Sequence, residues 1–470
     1  MKRKQVLFSA LMLVLVPAVV LAQANFNNSL HKTRNGKPFW YNSANGGFET
    51  FTNVPMSSLG CVECHGPTDA DGQPYPANYS PNCIDCHPSN SAFNPDSIKV
   101  TQCYGCHGRQ ATEANQLGYN DVHRSRGMKC WACHTSNDIH GTTATPNSML
   151  EPGAIEVDCD DCHTTAGGTL PDHTAWDPAS HNGKIHCTSC HARTVISCYN
   201  CHFESQVQAH VKRAKQPIHG FVMLANRSKD GKVYPMTFQS LTYQGNAFAA
   251  FGPFTSHTIT DSGRVCLDCH VNFGGQIQAI QQYNQTGQMK FATWNSTDST
   301  LSWLRGIVPM PSDYQRAFKM DFITYMGNPS DPPSPSKNWV SIGKEAWDGH
   351  QMFFATPLTK VQMAKLGFDT TQTTAVPGEG MPGEFKLHQN FPNPFNPTTE
   401  VEFHLPASDV VSLKVYNLLG AEVKTILGNE SLDAGTHTIK FNAEELSSGI
   451  YLYRLTTSRF NATRKMVLLK

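Results

Sequence analysis

Every cysteine in this chain belongs to the pattern C-x-x-C-H. The chain has 16 cysteines, and eight motifs with two cysteines each account for all 16. Histidine makes up only 21 of 470 residues, so chance does not place one after every pair. A structural zinc site needs tetrahedral ligand groups, and a disulfide framework needs no histidine, so both alternatives fail on this pattern. The pairs are Cys61 and Cys64, Cys83 and Cys86, Cys103 and Cys106, Cys130 and Cys133, Cys159 and Cys162, Cys187 and Cys190, Cys198 and Cys201, and Cys266 and Cys269, followed by His65, His87, His107, His134, His163, His191, His202 and His270.

This spacing is the attachment signal for haem c, in which two thiols bind one porphyrin. The adjacent histidine then lies under the iron as its proximal ligand. We therefore predict eight covalent haems. Residues 61–270 provide about 26 residues for each haem, too few for a separate apolar core around each one. The predicted fold is a haem-cored multihaem cytochrome c, mostly coil, with short helices near the motifs. Only 11 residues separate the motif starts at Cys187 and Cys198, so these two haems are predicted to lie close together.

A low-spin haem needs a second strong axial ligand on the far side of its iron. Ten histidines lie outside the motifs and before the C-terminal domain, which is enough for eight irons. Two of them are weaker candidates, because His186 directly precedes Cys187 and His350 lies far downstream. The predicted distal ligands are His31, His123, His140, His173, His181, His210, His219 and His257.

The longest gap between motifs contains aromatic and β-branched runs at 221–226, 233–243 and 247–254. These runs predict a β insert, which we interpret as a structural strut, with a haem lid or a subunit contact as alternatives. The aromatic-rich residues 271–370 are predicted to cover the last haems. Within them, Thr359 and Gly367 predict the start and end of a helix over 360–366.

The N-terminus predicts export. Lys2, Arg3 and Lys4 precede an apolar run over 6–21 and then Ala22-Gln23-Ala24, the pattern of a signal peptide over 1–22. A membrane anchor is the alternative, but the run is short and contains Pro17. Without the three basic residues, 34 positive side chains remain against 37 negative, a net charge of −3. This charge disfavours nucleic-acid binding, and no later segment is long and apolar enough to span a bilayer.

The composition changes after residue 370. Residues 371–383 are a Pro- and Gly-rich linker, and the octahaem domain is assigned to 25–370. Alternating segments at 399–405, 411–416, 437–441 and 449–455, with turn signals at Gly428-Asn429 and Ala434-Gly435, predict a small all-β, immunoglobulin-like sandwich over 384–470.

Four blocks in this domain resemble the C-terminal sorting domain of type IX secretion cargo. They are QNFPNPFNPTT at 389–399, VYNLLG at 415–420, SGIY at 448–451 and KMVLLK at 465–470. The resemblance implies recognition by the type IX secretion machinery, passage through an outer membrane, and release or attachment at the cell surface. An ordinary adhesive β-domain is the alternative.

Two functions remain open. A row of eight haems suits an electron carrier between other redox proteins or an extracellular donor or acceptor. The haem count also resembles that of octahaem enzymes that act on tetrathionate, nitrite or hydroxylamine, which need one iron with an open position. No C-x-x-C-K motif marks such an iron, so no catalytic residue is assigned. Lys212, Arg213 and Lys215 are candidates for binding an anion or haem propionates. The sequence leaves open whether chains assemble into a homo-oligomer or a filament.

Overall fold

A computed structural model describes residues 24–59, 68–75, 79–91, 94–163, 181, 183–333, 337–371, 386–387, 390, 393, 395–405, 408–417, 421–458 and 460–470. The chain divides into two compact units, 1–370 and 371–470. Within the described residues, no helix has both the length and the apolar character needed to cross a membrane.

Several predicted features lie outside the described residues. They are the signal peptide over 1–22, the first motif with Cys61, Cys64 and His65, and the predicted distal ligand His173. The roles of Cys61 and Cys64 in attaching a haem, and of His65 and His173 in binding iron, therefore stay predictions. The other 14 cysteines lie within the described residues.

In the first stretch of unit 1, residues 24–191, the described residues form short helices joined by turns. Side-chain caps start some of these helices: the Asp121 carboxylate, for example, accepts the backbone N–H groups of His123 and Arg124. Only four apolar side chains described in this stretch are buried, namely Tyr41, Phe48, Val54 and Leu59. The helices are α1 Leu30–Thr33, α2 Gly36–Tyr41, α3 Phe48–Thr52, α4 Val100–Cys106, α5 Gly108–Ala111, α6 Val122–Ser125, α7 Ser136–His140 and α8 Cys187–His191.

The second stretch, residues 195–370, is rich in strands. The strands are β1 Val195–His202, β2 Ala214–Arg227, β3 Val233–Tyr243, β4 Asn246–Pro253, β5 Met289–Asn295, β6 Thr300–Trp303, β7 Gly306–Pro309, β8 Phe318–Met320, β9 Ile323–Tyr325, β10 Trp339–Ser341, β11 Gly349–Met352 and β12 Ala355–Thr356. The helices are α9 Phe203–Ala209, α10 Cys266–Cys269, α11 Gln278–Thr286, α12 Tyr314–Ala317 and α13 Lys360–Leu366. The predicted strands at 221–254 and the predicted helix at 360–366 are confirmed. The Thr359 hydroxyl caps this helix, and Gly367 ends it with φ 91°.

Seven of these strands form one sheet in the order β11-β4-β3-β1-β2-β12, with β7 also paired to β2. Strand β1 is central, antiparallel to β2 and parallel to β3. Phe221, Phe238 and Phe251 from the sheet meet Phe291 and Phe318 from the following segment in one apolar core. That residues 271–370 cover the last haems stays a prediction. The aromatic side chains of that segment bury against the insert because together they form a protein core of their own.

Unit 2 is an all-β fold of two sheets. Its strands are β13 Lys386–Leu387, β14 Thr398–Leu405, β15 Asp409–Tyr416, β16 Glu422–Leu432, β17 Gly435–Asn442, β18 Gly449–Thr456 and β19 Asn461–Leu468. The sheets run β13-β14-β17 and β16-β15-β18-β19. The predicted turn at Gly428-Asn429 is wrong, since both residues lie inside β16. The sequence pattern did not predict β16 and β19, which are the two edge strands of their sheet. Seven of the 11 residues of β16 and four of the eight residues of β19 are exposed.

Candidate haem sites

Five of the described motifs close as the same helical turn. The backbone N–H of the histidine donates to the carbonyl of the first cysteine at 2.9–3.0 Å in the motifs ending at His87, His107, His134, His163 and His270. The motif Cys187–His191 is itself one turn of helix. A helical turn puts residues three apart on one side. Both thiols of each of these six motifs therefore face the same way, with the histidine beside them.

Five motif histidines face a histidine from a distant part of the chain. The ring centres are 5.9 Å apart for His107 and His31, 6.2 Å for His87 and His140, 6.0 Å for His163 and His123, 6.2 Å for His134 and His257, and 5.9 Å for His270 and His181. An iron–nitrogen bond of about 2 Å on each side, plus about 1 Å from each nitrogen to its ring centre, separates two axial imidazoles by about 6 Å. The five pairs fit an iron between them.

Hydrogen bonds at Nδ1 orient several of these rings. His31 Nδ1 lies 2.9 Å from the carbonyl of Ile139, and His140 Nδ1 lies 2.9 Å from the Ser136 hydroxyl. In the motifs, His191 Nδ1 lies 2.9 Å from the Thr260 carbonyl, and His270 Nδ1 lies 2.7 Å from the Lys365 carbonyl. A ring that donates from Nδ1 to a carbonyl presents its Nε2 lone pair to a metal.

Burial also keeps some of these imidazoles neutral. Desolvation, followed by the charges of His31, His134 and His257, lowers the pKa of His107 to about 4. Burial is likewise the main cause of the lowered pKa values of His31 and His257. Metal binding requires the neutral ring, so near neutral pH these side chains are already in the form that binds iron.

Apolar side chains are exposed next to several motifs. Ile84 and Leu267 lie between the two cysteines of their motifs and are 37% and 52% exposed. Val265 directly precedes Cys266, and Phe273, 63% exposed, lies with its ring centre 5.0 Å from that of His270. Apolar side chains clustered at one place on a surface mark a site where another apolar group binds. A porphyrin attached to these motifs would cover them.

Cysteines of successive motifs are neighbours. Thiol–thiol hydrogen bonds join Cys103 to Cys130 and Cys159 to Cys187. Burial is the main cause of the raised pKa values of Cys86, Cys133 and Cys269, and a nearby thiol of another motif raises each pKa further. The neighbouring thiols are Cys106 for Cys86, Cys162 for Cys133 and Cys190 for Cys269. Six motifs therefore follow one another in space, beginning at Cys83, Cys103, Cys130, Cys159, Cys187 and Cys266.

A cavity of about 600 Å³ lies beside the sixth motif, between Cys190, Gly263 and the side chains of Arg193 and Arg305. A Cβ at Gly263 would come within 3.3 Å of His191 Nε2, so glycine keeps this side of the ring open. The arginines supply positive charge of the kind that pairs with propionate carboxylates. The cavity thus combines Cys190 of this motif with charges that suit the propionates of a haem.

The other predicted distal ligands lie elsewhere. His210 is exposed and ends α9 with φ 56°, and His219 Nδ1 lies 2.7 Å from the Tyr119 hydroxyl. Of the two weaker candidates, His186 Nε2 lies 3.2 Å from an Asp158 oxygen, and the His350 ring packs against Trp347. In the described part of the chain, none of these four rings faces a motif histidine, and the ligand roles of His210 and His219 stay predictions.

The seventh motif differs from the other described motifs because it lies in β1. The backbone N–H of His202 donates to the carbonyl of Arg213, the residue just before β2, at 2.9 Å, and not to the carbonyl of Cys198. The ring that faces His202 belongs to Tyr325, with centres 5.8 Å apart. These residues as folded do not fit a haem.

Of the three basic residues that the sequence suggests for binding an anion or haem propionates, Arg213 does not fit that role. This side chain is fully buried, and its guanidinium donates to the carbonyls of Pro329, Asp331 and Pro332. The Lys215 ammonium lies 5.5 Å from the centre of the Trp294 ring. Arg213 is therefore occupied in holding the loop around residue 331 and is not available to an anion.

Two similarities to known proteins bear on this geometry. Residues 389–469 match the family described as a secretion system C-terminal sorting domain. The chain is also 22% identical over 209 residues to a dissimilatory sulfite reductase, MccA, of Wolinella succinogenes, covering 37% of this chain and 29% of that protein. The chain thus spans less than a third of that relative. Proteins with this sorting domain are exported and are secreted or attached to the cell surface, which confirms the predicted location.

Proposed function

We propose that this protein is an exported multihaem c-type cytochrome that carries electrons along a row of covalently bound haems. The observation that carries the proposal is the set of five histidine pairs spaced for one iron each. Haem iron supplies reversible one-electron chemistry, and two histidines complete its coordination. The distant sulfite reductase relative makes a redox role plausible without fixing its kind.

The residues have distinct roles in this proposal. Cysteines of the helical-turn motifs attach the porphyrins, and the histidine of each motif binds the iron from one side. Carbonyl and hydroxyl acceptors hold the rings, and these outer contacts keep an axial ligand in place when the charge on the iron changes. The histidines that bind from the other side are His31, His123, His140, His181 and His257.

The first motif is included among the haem-attachment motifs because of its sequence alone. Cys61 and Cys64 would attach its porphyrin, and His65 would bind the iron. Because these residues lie outside the described part of the chain, only the motif pattern supports a haem at this position. Counted in this way, eight motifs predict up to eight haems.

The neighbouring cysteines give the row an order. Electrons would pass between the sites of the second, third, fourth, fifth, sixth and eighth motifs, in that order, because a cysteine of each motif lies beside a cysteine of the next. The Cys266 site would form one end of this row, and its motif has exposed apolar neighbours. A redox partner or an extracellular acceptor or donor would exchange electrons with such a row at an end.

The test is a redox titration followed by optical and electron paramagnetic resonance spectroscopy of the purified protein. We expect at least five low-spin haems with two histidine ligands. A protein in which most irons are high-spin would overturn the proposal, because paired histidines at about 6 Å exclude open coordination at those sites.

The second candidate is a reductase of a small sulfur or nitrogen compound. The likeness to a dissimilatory sulfite reductase favours a sulfur oxyanion as the substrate class. Such a reaction needs one iron without a second histidine, and the five described pairs leave that role to other motifs. Turnover of sulfite, tetrathionate, nitrite or hydroxylamine by the reduced protein would favour this candidate. Reoxidation only by redox proteins or solid acceptors favours the carrier.

Delivery to the cell surface has its own test. Deletion of residues 384–470 should leave a haem-loaded protein in the periplasm, because the sorting domain is the part that the secretion system recognises. Cell fractionation with haem staining measures this. Appearance of the truncated protein at the surface would show that another segment directs its export.

A further inference from the structure

We infer that the seventh motif, from Cys198 to His202, is a core strand of the protein and carries no haem in the folded chain. The inference rests on the proposed function only for the haems of the other motifs. It predicts a maximum of seven covalent haems in place of the eight that the count of motifs predicts.

The backbone of this motif is paired on both sides. In β1, Cys198 lies opposite Pro217 of β2, and Cys201 lies opposite Ala214 of β2 and Leu241 of β3. Strand pairing uses the N–H and C=O groups that a helical turn would use internally. The motif cannot form the turn seen in the other described motifs without breaking the centre of the sheet.

A strand also separates the two thiols. Successive side chains of a strand alternate between its faces, so positions three apart point to opposite sides and lie about 10 Å apart along the chain. In a helical turn the same two positions are about 5–6 Å apart on one face. Cys201 is 8% exposed and packs with Phe203, Leu241 and Phe248, whereas Cys198 is on the other face. One porphyrin edge cannot reach both sulfurs in this arrangement.

The two residues between the cysteines are buried as well. Tyr199 and Asn200 are both 0% exposed, and the Asn200 amide donates to the hydroxyl of Thr242 at 3.2 Å. In the second and eighth motifs the corresponding position holds the exposed Ile84 or Leu267. Forming a turn at the seventh motif would remove the buried Tyr199 ring from the core and break the hydrogen bond donated by the Asn200 amide nitrogen. The exposed Ile84 and Leu267 lose no such burial in the turns of their motifs.

Both ring nitrogens of His202 already have protein neighbours. Nδ1 lies 2.8 Å from the Ser205 hydroxyl, and Nε2 lies 3.2 Å from a carboxylate oxygen of Glu204. The same Ser205 oxygen accepts a hydrogen bond of 3.0 Å from Arg213, whose guanidinium stacks 4.2 Å from the centre of the Tyr325 ring. His202 is thus one member of a buried polar cluster that joins β1, α9 and β9.

Peptide mapping of the denatured, alkylated holoprotein tests the inference directly. Trypsin should release the peptide that follows Arg193 and ends at Lys212, with both thiols alkylated and no haem mass. The peptides of the other described motifs should carry haem. Haem on the peptide with Cys198 and Cys201 would overturn the inference and leave the proposed function intact. Absence of haem from every motif would overturn the proposed function and, with it, the contrast between motifs.

A pair of double variants gives a second, independent measurement. Cys198→Ser with Cys201→Ser should leave the haem content per protein and the redox spectrum unchanged. The matched control, Cys187→Ser with Cys190→Ser in the preceding motif, should lose one haem. If the first variant also loses one haem, the seventh motif is an attachment site. Single variants Cys198→Ser and Cys201→Ser decide the matter if the double variant folds poorly, since loss of haem from either would equally contradict the inference.

Discussion

Residues 24–191 and 195–370 belong to the same compact unit, but they bury apolar surface in different ways. The first stretch contains six motifs in its sequence, and only four of its described apolar side chains are buried. The second contains two motifs, and more than forty of its apolar side chains are buried. A chain as poor in buried apolar side chains as the first stretch needs another source of buried surface, and attached porphyrins would provide it.

The same contrast explains why two motifs with the same C-x-x-C-H pattern adopt different structures. The sixth and seventh motifs are separated by only 192–197. In the sixth, His186 caps a helical turn by accepting the N–H of Thr188. In the seventh, Val195, Ile196 and Tyr199 favour a strand, and the sheet takes them as its centre. A short motif specifies which chemistry is available, while the surrounding apolar residues decide the conformation.

The largest expected effect comes from withholding haem. A chain without residues 1–22, made in a compartment where no haem is attached, should lose protection from hydrogen exchange throughout 24–191 and keep it in the strands of 195–370. The physical reason is that the described residues of the first stretch form almost no apolar core of their own. Hydrogen-exchange mass spectrometry of the haem-free and haem-loaded proteins measures this. Equal protection of residues 24–191 in the haem-free and haem-loaded proteins would contradict the proposed difference between the two stretches.

Truncation of the protein core should have the next largest effect. Phe238 is 1% exposed and packs against Phe221, Phe251 and Phe291, so Phe238→Ala should lower the free energy of unfolding by about 3–5 kcal/mol. The haem spectrum of the folded variant should not change. Denaturant unfolding gives the loss, with Met326→Ala, at a site 69% exposed, as the control. A loss below about 1 kcal/mol would show that this sheet does not depend on its own core.

Removal of one distal histidine should change a single site. His257→Ala should convert one haem to high spin without loss of covalent attachment, because Cys130 and Cys133 of the facing motif remain. Electron paramagnetic resonance and haem content measure the two outcomes. His350→Ala, whose ring packs against Tyr314 and Trp347, should leave all spin states unchanged. A high-spin signal in the control and none in His257→Ala would refute this pairing.

The smallest effect is expected at the junction of the two stretches. The Asp121 carboxylate caps α6 and accepts the backbone N–H of Ile259 at 2.9 Å. Asp121→Ala should cost about 1–2 kcal/mol, the usual loss for a helix cap. Comparison with the exposed Asp96→Ala by thermal unfolding isolates the effect. Identical melting curves for the two variants would mean that this contact does not couple the stretches.

Much of the fold is readable from local patterns. The aromatic and β-branched run over 233–243 predicted β3 with its observed bounds, and the capping residue Thr359 with Gly367 predicted α13. The sequence pattern did not predict the edge strands β16 and β19. Exposed strands carry polar residues on both faces and therefore lack the alternation of polar and apolar residues that marks a half-buried strand. The pairing of His257 with His134, and not with the nearby His270, had no sequence signal, because contacts between distant segments depend on the whole fold.

The sequence by itself determined the destination of this protein and the attachment chemistry that we propose for it. Cysteine spacing and the four C-terminal blocks are local patterns that keep their meaning wherever the chain places them. The tertiary structure alone decided which histidines face each other and which motif lies in a sheet. The reason is that a turn and a strand of five residues differ little in free energy, so the burial of Tyr199 and its neighbours determines the outcome at Cys198–His202.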